Sequence, residues 1–319
     1  MKREFNLDIV GKKKIFFIIS SALILIAILV SIIFGVKVDI KFQGGSMITY
    51  SYTGDINLED TESFIKSALD KENSIQGSTD IATGRQSMII SLTEKDGLTV
   101  EEQQKLTEEL TNKYKDNNLE MISTTNVGAS IGQEFFKKCW VAVIFSALLM
   151  IIYIGFRFKK ISGWSAGVMA VVALLHDVAM VYATFVIFRI PLNDNFMAVV
   201  LTILGYSVND TIVIYDRIRE NKKIYGKTLS VAELLNKSTN ECMGRTLNTS
   251  ATTIMAMIIV LIVALLFGIN SIVTFAFPMI IGMISGVYST ICIAGPLWVV
   301  WQEHKEKKAK NKKLAKAKA

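Results

Sequence analysis

The chain alternates long apolar stretches with short charged ones. Ile15–Val36 is 22 residues without a charge. From Val38 to about Phe136 the sequence is polar, and it becomes apolar again over Cys139–Phe156. Ile161–Phe188 follows, interrupted only by His176-Asp177, and then Asn195–Tyr215, whose one charge is Asp210. Thr246–Gln302 runs for 57 residues with no Asp, Glu, Lys or Arg. As helix at ~1.5 Å per residue that stretch is roughly 85 Å long, against about 30 Å of bilayer hydrocarbon. It is therefore two spans, turned at Gly268-Ile269-Asn270-Ser271. The pattern predicts six transmembrane helices, near 15–36, 137–156, 161–188, 194–216, 245–267 and 272–302. A short segment 1–14 precedes them, an insert over 37–136 separates the first from the second, and a polybasic tail occupies 303–319.

The insert changes period. Ile40–Thr53 is aromatic and β-branched with a break at Gly44-Gly45, which suits a strand pair or a bulged strand. Asn57–Lys71 reads as a helix capped by Asn57. Ser74–Ile81 and Gln86–Thr93 read as strands across a Thr83-Gly84-Arg85 turn. Thr99–Lys115 is a second helix, with Thr99 and Glu102 at capping-box spacing and Leu98, Leu106, Leu110 and Tyr114 near one face. Leu119–Val127 is a last strand. The order β-α-β-β-α-β is that of a ferredoxin-like unit, a motif that hosts many functions and specifies none. The fold class expected is an α-helical polytopic membrane protein with one extracytoplasmic α+β ferredoxin-like domain between helices 1 and 2.

Charge orients the spans. Of the 35 Lys and Arg, 23 lie in the two tails and in the loops between spans 2 and 3 and between spans 4 and 5. The short loops on the opposite side carry one, Arg189. This positive-inside bias places both termini in the cytoplasm and the insert outside. The insert together with Lys137 and Lys138 at the head of span 2 has 17 acidic and 11 basic residues, so the net charge of +7 belongs to the cytoplasmic face. There it favours anionic lipid headgroups and gives no reason to expect nucleic acid. The three cysteines, Cys139, Cys242 and Cys292, lie outside the insert's core, and no Cys/His spacing suits a metal. Gly226-Lys227-Thr228 imitates the end of a phosphate-binding loop, but Asn221 stands where its first glycine belongs and no strand precedes it. Gly163/Gly167 and Gly282/Gly286 have small-xxx-small spacing, which permits close helix packing. No catalytic constellation appears, so an enzyme is not expected.

Charges inside the spans are costly, about 2.5–3.5 kcal/mol each at a helix centre. Asp177 lies near the middle of span 3 and Asp210 in the inner third of span 4. Arg245 opens span 5 at similar depth to Asp210 and would pair with it if the two helices pack. Ser207, Asn209 and Thr211 surround Asp210. On span 5, Arg245, Asn248, Thr249, Thr252 and Thr253 recur at helical spacing as one polar face. Such a face must look into the bundle or into water. It reads as an ion or proton path with Asp210 titrating and Arg245 modulating it, or as a static ion pair with hydroxyls packing the helices. Asp177 fits either role. His176 reads as a packing or hydrogen-bonding residue.

Several of these segments carry a resemblance. Asp39 followed by Gly44-Gly45 opens the insert, with two residues more than the usual Asp-Phe-x-Gly-Gly. Span 3 carries Leu175-His176-Asp177-Val178. Span 4 carries Gly205-Tyr206-Ser207-Val208-Asn209-Asp210-Thr211 and runs into Tyr215-Asp216-Arg217-Ile218-Arg219-Glu220. Span 5 opens with Arg245-Thr246-Leu247-Asn248-Thr249-Ser250, and span 6 contains Gly282-Met283-Ile284-Ser285-Gly286-Val287-Tyr288-Ser289. Together they resemble the SecF family of protein-export membrane subunits, over nearly the whole chain. The resemblance implies half of an RND-type transporter in a bacterial plasma membrane. It implies pairing with a six-span SecD homologue, association with the SecYEG channel, and late export of an unfolded polypeptide driven by the proton gradient, or by sodium in some members. It implies no cofactor beyond that ion, and it puts the family's intramembrane Asp and Arg at Asp210 and Arg245. Two other classes stay open: an RND-type small-molecule or lipid exporter half, for which the insert is small, and a non-transporting assembly scaffold.

The orientation is testable. Protease added outside right-side-out vesicles is expected to cut only between Val38 and Phe136, leaving both termini intact. Cleavage of the lysine-rich tail would overturn it.

Overall fold

The computed structural model describes residues 5–318 apart from 70, 72, 80–83, 94–97 and 227. Six helices are long and apolar enough to cross a bilayer. They are α1 (Lys13–Phe34), α5 (Ala129–Arg157), α6 (Gly163–Ile187), α7 (Asp194–Tyr225), α8 (Val231–Leu266), and α9 (Asn270–Ser289), which continues through a π-helical turn at Thr290–Ala294 into α10 (Gly295–Lys318). Between α1 and α5 lie α2 (Ile40–Gln43), β1 (Gly45–Tyr52), α3 (Leu58–Leu69), β2 (Asn73–Thr79), β3 (Gln86–Thr93), α4 (Val100–Lys113) and β4 (Glu120–Val127).

The sheet runs β2-β3-β1-β4, all pairs antiparallel. With its element order this is compatible with a ferredoxin-like unit. Its core buries Ile48, Tyr50, Met88, Ile90 and Leu92 from the strands against Ile65 of α3 and Leu106 and Leu110 of α4. The Thr99–Glu102 capping box forms, satisfying free amides at the start of α4. Asn57 caps α3 through Glu59 N–H at 3.0 Å. Part of the expected turn, Thr83, and the end of the expected second strand, Ile81, lie outside the described residues.

The start of the insert differs from its expected strand pair. Ile40–Gln43 is one helical turn, capped by Asp39, whose Oδ1 accepts from Lys41 N–H at 2.9 Å. The β-branched character of the segment is overridden because Ile40 and Phe42 bury in opposite contexts: Phe42 packs at 5.7 Å and 5.2 Å on Phe135 and Phe136 at the head of α5. Burial pushes the Asp39 carboxyl above its usual range, against the opposing pull of the Lys41 amide. Gly44 (φ 90°) and Gly45 (φ 145°) then turn the chain into β1. A Cβ at Gly45 would sit 2.2 Å from the Leu92 carbonyl oxygen, so the side chain is excluded by backbone on the neighbouring strand. The bulge that was expected is present but later, between Thr49 and Tyr50 against β4.

Besides the Phe42 packing on α5, hydrogen bonds fasten the insert to the helices on two flanks among the described residues. Val38 forms a parallel bridge with Leu192, through Asp39 N–H to the Leu192 carbonyl (3.0 Å) and Leu192 N–H to the Lys37 carbonyl (2.9 Å). Beside it Lys41 pairs with Asp194 at 2.9 Å. On the other flank Asn270, the first residue of α9, donates to the Gly77 carbonyl of β2. Arg189, the single basic residue of the short loops on this side, donates to the terminal carbonyls Phe34 and Gly35 of α1, where a cation suits the helix end.

α6 and α7 form the buried centre of the helical bundle, with α9 against both. α1, α5 and the second half of α8 expose mostly apolar surface, as lipid-facing helices do. The small-xxx-small positions serve close packing. A Cβ at Gly282 would lie 2.8 Å from Ile203 of α7, and one at Gly167 3.1 Å from the Ile151 carbonyl of α5. The expected start of the fifth span at residue 245 falls in mid-helix. α8 begins fourteen residues earlier at Val231, with a Ser230–Glu233 capping box, because charged residues break hydropathy but not helix. α7 likewise runs on to Tyr225. At ~1.5 Å per residue α7 and α8 are roughly 48 and 54 Å long, so both project beyond a ~30 Å hydrocarbon core as a hairpin. Arg217–Glu241 (2.6 Å) ties the two arms of that hairpin, while Arg217–Glu220 (2.8 Å) and Arg219–Asp216 (2.6 Å) are pairs within α7.

Gly45→Ala is expected to cost more stability than Gly84→Ala. Gly84 (φ 66°) has open space around its Cβ position, so only the left-handed backbone is penalised there, at about 1–2 kcal/mol. Thermal unfolding of the full chain in detergent, followed by protease resistance of the insert, measures both. Equal losses would show that the Leu92 contact does not constrain this turn.

Candidate functional site

Asp177, in the middle of α6, is fully buried. Three hydroxyls converge on its carboxylate from two other helices. Ser207 of α7 donates to Oδ2 at 2.8 Å, Ser285 of α9 to Oδ1 at 2.7 Å and Ser289 of α9 to Oδ2 at 2.8 Å. His176 Nδ1 lies 3.4 Å from both Asp177 Oδ1 and Ser285 Oγ. No Lys or Arg pairs with Asp177 among the described residues. The three hydroxyls therefore supply the close donors that offset the desolvation of this acid, with the His176 ring beside them.

The cage continues along α7. Thr211 Oγ1 lies 2.9 Å from Thr290 Oγ1, and both approach the Ser207 carbonyl at 3.3 Å. Thr290 opens the π-helical turn between α9 and α10, where the widened backbone supplies a hydroxyl at the point of closest approach.

Asp210, three residues beyond Ser207, is also buried, and its partner comes from α8: Ser250 Oγ donates to Oδ2 at 3.2 Å. The expected Asp210–Arg245 ion pair is not made, although α7 and α8 pack together. Five residues separate Arg245 from Ser250, which is about 140° around a helix. With Ser250 turned to Asp210, Arg245 is off that line and outside ion-pair distance, though close enough for its charge to act on Asp210. Arg245, Asn248, Thr249 and Thr252 do form one polar stripe, but it is exposed on the outside of this chain. Asn209 of α7 is exposed as well.

The expected site residues thus fall into three groups. Asp177, Ser207 and Thr211 share one buried network, with Asp210 beside it on the same stretch of α7. Asn209, Arg245, Asn248 and Thr249 line an outer surface. Asp39, Gly44 and Gly45 belong to the insert's attachment. Asp39 touches Leu192, eighteen residues and roughly 27 Å of helix from Asp210. Four participants went unassigned in the sequence: Ser250, Ser285, Ser289 and Thr290. Ser285 and Ser289 stand four apart beside Gly282 and Gly286, and that spacing is the signal for them. A Cβ at Gly286 would come 3.1 Å from Ser207 Cβ, so the glycines that admit α7 also present the serines to Asp177.

A family model described as "Protein export membrane protein SecD/SecF, C-terminal" matches residues 106–304. The "Protein translocase subunit SecF" of Petrotoga mobilis is 33% identical over 314 residues, covering 96% of this chain and 99% of that protein. The chain belongs to the SecD/SecF family. Further relatives agree. The "Protein translocase subunit SecDF" of Bacillus subtilis is 30% identical, with 94% of this chain covering 39% of that longer protein. The crystal structure of SecDF from Thermus thermophilus superposes with a TM-score of 0.76 at 28% identity, over 95% of this chain and 39% of that one. The super-membrane-facing form of SecDF gives 0.68 over 98% and 40%. This chain is a multi-pass membrane protein of the SecF type, and the SecDF chains are more than twice the length it spans.

Ser285→Ala is expected to lower unfolding stability by about 1–3 kcal/mol, the cost of leaving a buried carboxylate short of a donor. In an Asp177→Asn background the same change is expected to cost less, because a neutral amide needs fewer donors. A double-mutant cycle on thermal unfolding in detergent reads the difference. Additive losses would mean that Ser285 does not serve the carboxylate.

Proposed function

We propose that this chain is the SecF-type half of a Sec export accessory complex. It pairs with a six-span SecD-type partner at the plasma membrane, with both termini cytoplasmic, next to a SecYEG-type channel. It couples ion movement down the gradient to late translocation of unfolded polypeptide. The observation that carries this reading is the exposed polar stripe on α8. Arg245, Asn248, Thr249 and Thr252, with Asn209 of α7 adjoining, cannot face hydrocarbon without a cost of several kcal/mol. A second bundle covering the stripe would enclose it and leave Asp210 just behind the interface. The chains in which SecF-like sequence is fused to more than its own length of further sequence favour such a partner.

On this reading Asp210 binds and releases the coupling ion, a proton or sodium. Arg245 modulates it from the interface, and Asp177 with its serine cage is the second carboxylate of the path. One charge crossing 100 mV supplies about 2.3 kcal/mol, enough to bias a two-state element roughly fifty-fold. The outward insert is that element. Its attachments lie at Leu192, immediately before α7, and at Asn270, the first residue of α9. These are the two helices that close on Asp177.

Asp210→Asn is expected to abolish gradient-driven uptake of a secreted precursor into energised vesicles after ATP is depleted, while the partner still co-purifies. Asn248→Trp, on the exposed stripe, is expected to lose the partner itself. Asp210→Asn combined with Arg245→Gln removes both charges, and it should keep the partner and still fail to export. Full export by that double variant would defeat ion coupling here and leave a scaffold role.

A further inference from the structure

On the side opposite the insert, a cavity of about 610 Å³ opens between the start of α6 and the α10 helix. Lys159, Lys305, Trp164, Trp301, Val168 and Met169 are among its lining residues. Position along the helices orders them: the lysines nearest the helix ends that leave the bilayer, the tryptophans next, and Val168 and Met169 further in. The two helices run in opposite directions, yet each contributes the same order. On α6, five residues or about 7 Å separate Trp164 from Met169. On α10, Lys305 lies one turn beyond Trp301. Charge, then indole, then apolar side chain over about 10 Å is the profile of a bilayer boundary, where headgroups give way to acyl chains.

The rim is positively charged and unneutralised. Neither Lys159 nor Lys305 makes an ion pair among the described residues, and the nearby Glu303 is turned to Lys13 at 4.0 Å. Lys159 instead lies over the Phe156 ring at 5.0 Å, which fixes its ammonium beside the opening. Phe156 in turn holds Trp164 edge-on at 5.7 Å. Ser165 is held by Gln302 Nε2 at 2.9 Å, tying α6 to α10 behind the cavity. The indoles of Trp164 and Trp301 are about half exposed, presented to whatever occupies the space.

We propose that this cavity is a binding site for one anionic phospholipid. The headgroup phosphate lies between Lys159 and Lys305, and the upper acyl chain runs between the two indoles onto Val168 and Met169. A soluble phosphate compound has no use for the apolar wall, and a zwitterionic lipid, though it offers the same phosphate, brings a further cation to a rim that already holds two ammonium groups. The site deepens the lipid contact expected from the basic face, and it rests on that face meeting the cytoplasmic leaflet. It does not depend on ion coupling at Asp210.

The test uses the full chain in nanodiscs of phosphatidylcholine doped with a tenth of lipid brominated on its acyl chains, with tryptophan fluorescence as the readout. Brominated phosphatidylglycerol is expected to quench more than brominated phosphatidylcholine, with an apparent preference of roughly thirty-fold for two lysines near a headgroup. Lys159→Gln with Lys305→Gln should remove that preference. Lys307→Gln with Lys308→Gln, which removes the same charge from exposed positions on the same helix outside the cavity, should leave it in place. Equal loss in both double variants would reduce the effect to general surface potential and overturn the site. So would equal quenching by the two lipids, or relief of quenching by millimolar inorganic phosphate. Thermal unfolding of each variant confirms that the folded chain is being compared. A failed proteolysis test of orientation would move the site to the other leaflet without altering these ratios.

Discussion

A fully buried acid with no Lys or Arg partner among the described residues sits at the centre of this bundle, and the packing of three helices surrounds it. Asp177 brings one group with several lone pairs into the interior of the bundle. Ser207, Ser285 and Ser289 supply the donors, and they can do so only if α7 and α9 approach α6 closely. The glycines at 282 and 286 make that approach possible. The π-helical turn at 290–294 then follows, because a chain held tightly through Ser289 must still bring α10 under α6, where Trp298 donates to the Ile161 carbonyl at 3.2 Å. A neutral residue at 177 would remove the need for each of these features.

α7 carries the consequences in both directions. Over a single turn, Ser207 serves one carboxylate and Asp210 is the other, held from the opposite flank by Ser250. The next residue, Thr211, one turn beyond Ser207, reaches the π-helical segment. Above this turn, the helix begins at an Asn193 cap next to the bridge that holds the outward insert. Beyond it, the helix leaves the bilayer and is pinned to α8 by Arg217 and Glu241. α7 is therefore in contact with α5, α6, α8 and α9 and with the π-helical turn.

Much of this was legible in the sequence because hydropathy and helical spacing are strong signals. Six spans, the β-α-β-β-α-β order and the Thr99–Glu102 cap follow from them directly. Asp177 and Asp210 were conspicuous as isolated charges. What was not legible was the direction in which each side chain points. The stripe of Arg245, Asn248, Thr249 and Thr252 is real, but the sequence alone cannot say whether a stripe faces inward or toward a second chain. That is why Ser250, out of register with the stripe, was overlooked as the partner of Asp210. The short helix at Ile40–Gln43 was hidden for another reason: Phe42 forms it by docking on Phe135 and Phe136, a tertiary contact across more than ninety residues that no local propensity records.

On the coupling role proposed above, the exposed stripe and the buried cage separate two jobs that a single intramembrane ion pair would combine. If Asp210 and Arg245 were bonded within this chain, the cation would hold the carboxylate charged at all times. The group would then have little reason to exchange an ion. With Arg245 making no ion pair and Ser250 donating a neutral hydrogen bond, the direct partner of Asp210 in this chain is a hydroxyl. On the coupling role proposed above, a partner covering α8 would then help set the ion affinity of Asp210. A partner that swings Arg245 toward or away from α7 changes that affinity without disturbing the Asp177 cage, which keeps α6, α7 and α9 packed throughout. Coupling and integrity then rest on different residues. A half-transporter needs that separation if its helices are to move relative to a partner while its own core stays closed.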